Sequence, residues 1–260
     1  MPKYFKLLLA AAIFLSTQHM NAQNGSADYY KKPTPDTLKK DNDFPHFRFA
    51  ISGGLSAIPV SVSSSVPSYL TSFVQGLTTG GNFSTELNYF WNRNNGFGLK
   101  YNVYSAGNSA LIDFPASGGG TVSAVVSVSN AYSFIGPEYY SRLISKNKKA
   151  ALILGVGLGY MDYYSHIFVG TLEAQQTGNT FGLSYDFAYD YAVSDNFSIG
   201  VQLSYIKGTL FSYQENDGTT VKTVTLTQGS YESLNHLDIS IGVRYTPIPK
   251  AAKSNVHTYM

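Results

Sequence analysis

The chain has 260 residues, 13% charged and 15% aromatic, with 21 Tyr, one Trp and no Cys. The missing cysteines exclude disulfides, thiolate metal sites and a lipidated N-terminal cysteine, and the charged fraction is well below the quarter usual for soluble domains. The formal charge of +2 comes from Lys3 and Lys6 in an acid-free leader, so sixteen basic face sixteen acidic residues beyond it, a balance that gives no electrostatic footprint for nucleic acid.

Lys3 and Lys6 precede an apolar core, Leu7 to Leu15, and Ala22 is a small residue before Gln23, so 1–22 reads as a signal peptide. Nine apolar residues are too few to cross a bilayer as a helix. Residues 23–45 are polar, carry Pro33, Pro35 and Pro45, and read as a flexible periplasmic linker. Within it, Asp36-Thr37-Leu38 looks like the short O-glycosylation acceptor of Bacteroidetes, though it reads more simply as an Asp in a flexible turn.

Eight runs of alternating apolar and polar residues follow, near 46–57, 81–91, 97–105, 130–143, 150–163, 180–193, 197–207 and 234–245. In the second, Phe83, Thr85, Leu87, Tyr89 and Trp91 oppose Asn82, Ser84, Glu86 and Asn88; in the eighth, Leu237, Ile239, Ile241, Val243 and Tyr245 oppose Asp238, Ser240, Gly242 and Arg244. The links at 92–96, 144–149 and 194–196 are short, whereas 58–80, 106–129, 164–179 and 208–233 are long. That sorting of connections, with strands long enough to cross hydrocarbon, predicts an all-β fold: an eight-stranded antiparallel up-and-down transmembrane β-barrel over 46–245. A bulge or irregularity is expected at Phe134-Ile135-Gly136-Pro137, because proline donates no ladder hydrogen bond. After Tyr245, Pro247 and Pro249 end the last strand and 246–260 reads as a periplasmic tail.

A soluble lipocalin-like barrel would turn its polar face to water and carry Lys and Glu there. Here that face is mostly Gly, Ser, Asn and Ala, with glycines at 54, 98, 155, 157, 159, 182, 200 and 242, as a crowded eight-strand lumen requires. Phe47, Tyr89, Trp91, Phe97, Tyr191, Phe197 and Tyr245 lie on the apolar face beside the short turns or chain ends, the pattern of an interfacial aromatic girdle. Short turns face the periplasm, which places both termini there. The polar face carries Glu86, Lys100, Glu138 and Asp186 near mid-height, Arg48, Arg142, Asp190 and Arg244 nearer the short turns, and Asp238 in the opposite half. Buried charges must pair or stay hydrated. The expectation is a Lys100-centred network with Glu86 and Glu138 that plugs the lumen; the alternative is a narrow charged pore for small solutes.

The leader, eight strands, charged narrow interior and long loops resemble the OmpA/OmpX-type eight-stranded barrels. Phe134-Ile135-Gly136-Pro137-Glu138-Tyr139 before a short basic turn, then Leu154-Gly155-Val156-Gly157-Leu158-Gly159-Tyr160, looks like the outer-membrane β-barrel domains of Bacteroidetes. That resemblance implies a cell outer-membrane location, contact with outer-membrane lipid and lipopolysaccharide, and insertion by the barrel-assembly machinery. The last strand ends at Tyr245 with fifteen residues beyond it, so Ile241 to Tyr245 would serve as an internal insertion signal. No peptidoglycan-binding domain is expected after it.

No nucleotide loop, HExxH, GxSxG or EF-hand pattern is present, and no cofactor or metal is expected. The glycines of Gly155-Val156-Gly157-Leu158-Gly159 sit within a strand and read as lumen packing rather than a phosphate cradle. Some small outer-membrane barrels modify lipid A or act as proteases through rim His, Ser and acidic residues. The candidates for such chemistry are His166 with Ser165 and Glu173, and His236 with Asp238, since a general base needs an orienting acid and a nearby nucleophile. His46 and His257 suggest no site. The loops 58–80 and 106–129, rich in Ser, Thr, Gly and Val, offer a rim for an extracellular protein or glycan, and Thr121 to Ser129 alternates as though extending a hairpin. The reading is a structural or interaction barrel without catalysis, with a lipid A-modifying enzyme as the alternative.

Overall fold

The structure, a computed structural model, describes residues 44–59, 66–116 and 119–247, which lie within one compact unit, Asp41–Met260. The expected leader, most of the linker including Thr37, and the tail from 248 with His257 lie outside the described residues.

The elements are β1 (Phe47–Ala57), α1 (Ser68–Gly76), β2 (Thr79–Phe90), β3 (Asn95–Pro115), β4 (Thr121–Ile144), β5 (Ala150–Val169), β6 (Leu172–Ala192), β7 (Phe197–Leu210), β8 (Ser212–Asn216), β9 (Val221–Thr225), β10 (Glu232–Ser233) and β11 (His236–Tyr245). Eight of them close a ring in the order β1, β2, β3, β4, β5, β6, β7, β11, every pairing antiparallel. The seam joins first to last: Phe49 lies opposite Tyr245 and Ala57 opposite Leu237. Closure removes every free edge from the ring, which an apolar surround demands because nothing there can hydrogen-bond a bare backbone.

The side-chain alternation resolves which face is which. Leu87, Val201 and Ile241 point outward with 54%, 53% and 62% of their surface bare, while Ser240 is only 5% exposed. A band of bulky apolar side chains thus faces away from the ring and the small polar residues fill its centre. This is the inverse of a soluble barrel and the arrangement of a transmembrane one. All seven girdle aromatics are exposed at the short-turn end. Their rings touch in sequence: Phe47 to Tyr89 at 5.2 Å, Tyr89 to Phe97 at 6.0 Å, Trp91 to Phe97 at 5.9 Å, with Phe197 to Tyr245 at 5.2 Å between β7 and β11.

β3, β4, β5 and β6 run for 21, 24, 20 and 21 residues, about twice what the hydrocarbon requires. Their distal halves continue the wall beyond the ring, and β8 and β9 add to the β6 side. Much of 106–129 and 164–179 is therefore paired strand rather than loop. Thr121 to Ser129 pairs with Gly107 to Pro115, as its alternation suggested. Helix α1 leans on this extension: Phe73 is buried with Ile112 and Val126, and Asn108 Nδ2 donates to the Phe73 carbonyl at 2.7 Å.

The irregularity in β4 is a gap, not an insertion. Ile135 pairs with Tyr160 and Glu138 with Gly157, so the register is unchanged while Gly136 and Pro137 skip the β5 ladder. Gly136 permits a close approach there, since a Cβ would lie 2.5 Å from the Leu158 carbonyl oxygen.

Candidate functional site

The inward positions of the eight strands stack into layers. Nearest the short turns, Phe44, Phe90, Tyr140, Ile153 and Ala188 form an apolar cluster. The Arg142 guanidinium lies 3.7 Å over the Phe90 ring and donates to the carbonyls of Pro45 at 3.1 Å and Arg93 at 3.2 Å. This cation is therefore satisfied by a ring face and backbone rather than by an acid.

Above it, Arg48 bridges two acids, donating to Glu86 at 2.7 Å and Asp190 at 2.8 Å. Arg244 reaches the other oxygen of Asp190, with Nε 3.0 Å away. Gln202 donates to Glu86 at 2.5 Å. Next, Lys100 Nζ donates to both oxygens of Asp186, at 2.6 and 2.7 Å, and to Ser204 Oγ at 3.3 Å. Glu138 accepts from Tyr140 Oη at 2.5 Å and from Ser184. Arg48, Lys100 and Arg244 are all almost wholly buried. Buried ions are tolerable only when paired, and each of these three cations meets a carboxylate. Among the described residues, Arg48 Nη2, Ser52 Oγ, both amide atoms of Asn88, Asn130 Oδ1, Asp190 Oδ1, and Nε and Nη1 of Arg244 have no protein hydrogen-bond partner, so Arg244 meets Asp190 as an ion pair without a hydrogen bond.

Toward the distal end, Asp238 accepts from Ser56 at 2.5 Å and Asn102 at 2.8 Å. His236 donates from Nδ1 to the Leu234 carbonyl at 3.0 Å, while Nε2 lies 3.3 Å from Asn102 Oδ1 and 3.9 Å from Asp238. A second apolar layer covers this cluster, built from Tyr104, Tyr132, Phe134, Met161, Tyr163, Ile206, Leu210 and Leu234. The Tyr104 ring stacks 5.2 Å from His236.

The expected centre of the network is therefore corrected in detail. Glu86 and Lys100 are register partners on β2 and β3, yet the ammonium passes over Glu86 and reaches Asp186 on the far side of the ring. Glu86 belongs to Arg48, and Glu138 to Tyr140 and Ser184. A lysine chain is long enough to span the narrow interior, and Glu86 is already held by Arg48.

The rim candidates do not converge. His166 Nε2 lies 2.7 Å from Glu173 on the outer surface, beside Phe168 and Tyr164, whereas Ser165 is buried on the opposite face of the same strand. The contacts of His166 and of His236 share no residue, and Asp238 sits between Ser56 and His236 rather than behind the histidine.

No protein-family model matches the chain, and no curated protein does. Solved structures do. Neisserial surface protein A is 17% identical, with 77% of this chain and 96% of that one covered and a TM-score of 0.40. The outer membrane protease OmpT from Escherichia coli is 9% identical, covering 78% and 97% with a TM-score of 0.46. A major outer membrane protein from Thermus thermophilus is 12% identical, covering 76% and 98%, also at 0.46.

The charges were visible on the polar face; the relays between them were not singled out. Ser184 with Asp186, and Gln202 with Ser204, stand two residues apart, so each pair shares the lumen face of one strand. Polar residues at that spacing beside a buried charge are the signal that finds them.

Proposed function

We propose that this protein is an integral outer-membrane barrel with a structural or surface-interaction role, its lumen closed to solutes. The observation that carries this reading is the ladder of buried ion pairs crossing the interior between two apolar layers. A conducting channel needs hydrated walls, whereas here Lys100 and Asp186 grip each other from β3 and β6. Steady single-channel currents from purified protein in a planar bilayer would overturn the closed lumen; the expected record is silent.

In this reading both termini and the short turns face the periplasm, and the extended β3–β6 wall projects outward. Lipid and lipopolysaccharide surround the apolar band, the barrel-assembly machinery inserts it, and an extracellular protein or glycan is met by the projecting strands. The Bacteroidetes resemblance of 134–139 and 154–160 supplies the source. An epitope inserted after Gly218, in the β8–β9 turn, tests the orientation: it is expected to be labelled on intact cells. The lipid-modifying alternative is the weaker one, because Ser165 and His166 face opposite ways. An unchanged lipid A profile after deletion removes it.

A further inference from the structure

The charges outside the lumen are sorted by end. Among the described residues, the short-turn rim carries Arg93, Lys146, Lys148 and Lys149 against Asp195 alone. The distal end carries Asp113, Asp162, Glu173, Glu215, Asp217 and Glu232 against Lys207 and Lys222. The four rim cations are also neighbours. Asn95 pairs with Ser141, and Arg142 N–H donates to the Asn94 carbonyl at 2.6 Å, so the turn bearing Arg93 lies beside the end of β4 that leads into the lysine turn. All four side chains are exposed.

The lysine turn is held in shape rather than loose. Ser145 N–H donates to the Ala150 carbonyl at 2.8 Å, Lys148 N–H to the Ser145 carbonyl at 2.9 Å, and Lys149 N–H to Asn147 Oδ1 at 3.1 Å. Lys148 is the one described residue other than glycine with positive φ, at 56°. Glycine or asparagine would sit there with less strain, so the turn carries a cation where its backbone favours another residue.

The level of this rim is also set. Trp91, Phe97 and Tyr139 stand beside the Arg93 turn, with Trp91 5.9 Å from Phe97 and 6.0 Å from Tyr139. Rings of this kind settle at the headgroup boundary. The four cations just beyond them therefore sit at the height of lipid phosphates.

We infer that the short-turn rim is a docking surface for the anionic phospholipid headgroups of the leaflet it faces, with Arg93, Lys146, Lys148 and Lys149 meeting the phosphates. The inference rests on the membrane-barrel reading above, not on which compartment the turns face. Each cation near an anionic surface adds roughly a five-fold preference before screening. The acidic distal end offers no such attraction, so the preference is one-sided.

Native mass spectrometry of the full chain, equilibrated with mixed phosphatidylglycerol and phosphatidylethanolamine, tests it. The unaltered protein is expected to retain phosphatidylglycerol selectively. The combined variant Arg93→Gln, Lys146→Gln, Lys148→Gly and Lys149→Gln is expected to lose that selectivity by roughly ten-fold, while Lys207→Gln with Lys222→Gln keeps it. Equal selectivity in the rim variant and the unaltered protein, or equal loss in the distal variant, would overturn the docking surface. Heat-shifted gel mobility, read on the same samples, reports the barrel independently. Its absence from the unaltered protein would sink the barrel reading and this inference together; its presence in every variant confines the result to the lipid contact.

Discussion

Lys100 and Asp186 tie opposite walls of the barrel together. Their strands, β3 and β6, are separated by two others on one side of the ring and by four on the other. Even so, Nζ lies 2.6 and 2.7 Å from the two carboxylate oxygens. The contact is a strut across the interior rather than a link between adjacent strands, and the pairing of Arg48 on β1 with Asp190 on β6 repeats it nearer the short turns.

A strut of this kind is most costly when half of it is removed. Lys100→Met leaves Asp186 buried without its cation, and breaking one side of a buried pair costs about 3–5 kcal/mol. Lys100→Met with Asp186→Leu removes both ions together, and much of that loss is expected to return. Urea unfolding in detergent, followed by tryptophan fluorescence from Trp91, measures both. If the double variant is no more stable than the single one, the strut is not an isolated pair.

The seam between β1 and β11 depends on two glycines. A Cβ on Gly54 would lie 2.7 Å from Ser240 Cα, and one on Gly242 would lie 2.6 Å from Ser52 Cα, so each strand approaches the other where it has no side chain. Gly54→Ala or Gly242→Ala forces backbone apart at the closing ladder and is expected to cost about 1–3 kcal/mol. Gly81→Ala, whose Cβ would meet only the Gly54 carbonyl oxygen at 3.7 Å, is the matched control. Folding yield into detergent, scored by heat-shifted mobility, should fall for the first two and hold for the third.

The ring was legible because lipid on one side and a crowded lumen on the other impose a strict two-residue period, as in Leu237 to Tyr245. Above the hydrocarbon that contrast weakens while backbone pairing continues. Ser105 to Ser109 and Ser127 to Asn130 carry few bulky apolar side chains, so the pattern ends the third strand at 105 and begins the fourth at 130, although β3 and β4 pair without a break from Asn95–Ser141 to Pro115–Thr121. Helix α1 falls inside the long connection 58–80 for a similar reason: its Ser, Thr, Tyr and Phe content favours helix weakly, and its packing on Ile112 and Val126 is what holds it. Counting from the turns gives each charge a height, but height says nothing about direction. Glu86 is the register neighbour of Lys100, and only closure of the ring brings Asp186 within its reach.

The rim pair of His166 and Glu173 gives a pH signature. The hydrogen bond from the imidazole holds the exposed Glu173 carboxyl below its usual range. A carboxyl lowered on folding contributes stability above its unfolded value, about 4.3, and that contribution is lost as pH falls through the lowered folded value. His166→Ala should thus raise the Glu173 midpoint toward the ordinary value and narrow its stability difference from the unaltered protein in acid. Titration of the Glu173 carboxyl carbon by NMR reads the midpoint directly; an unmoved midpoint in the variant shows that His166 is not its cause.

The distal wall should come apart without the ring. Phe73 is the buried residue of α1, meeting Ile112 and Val126 on the extended hairpin, and its carbonyl accepts from Asn108. Phe73→Ala removes the ring that seats the helix, a change that costs about 3–5 kcal/mol in a full core and less in a small cluster with a solvent side. None of the ring's ladders passes through α1, so the loss is local. Limited proteolysis is expected to cut between Ser68 and Gly76 much faster in the variant, while the heat-shifted mobility of the barrel is unchanged. Simultaneous loss of that mobility would mean that the helix supports the ring itself, and that the hairpin extension and the membrane-spanning wall unfold as one unit.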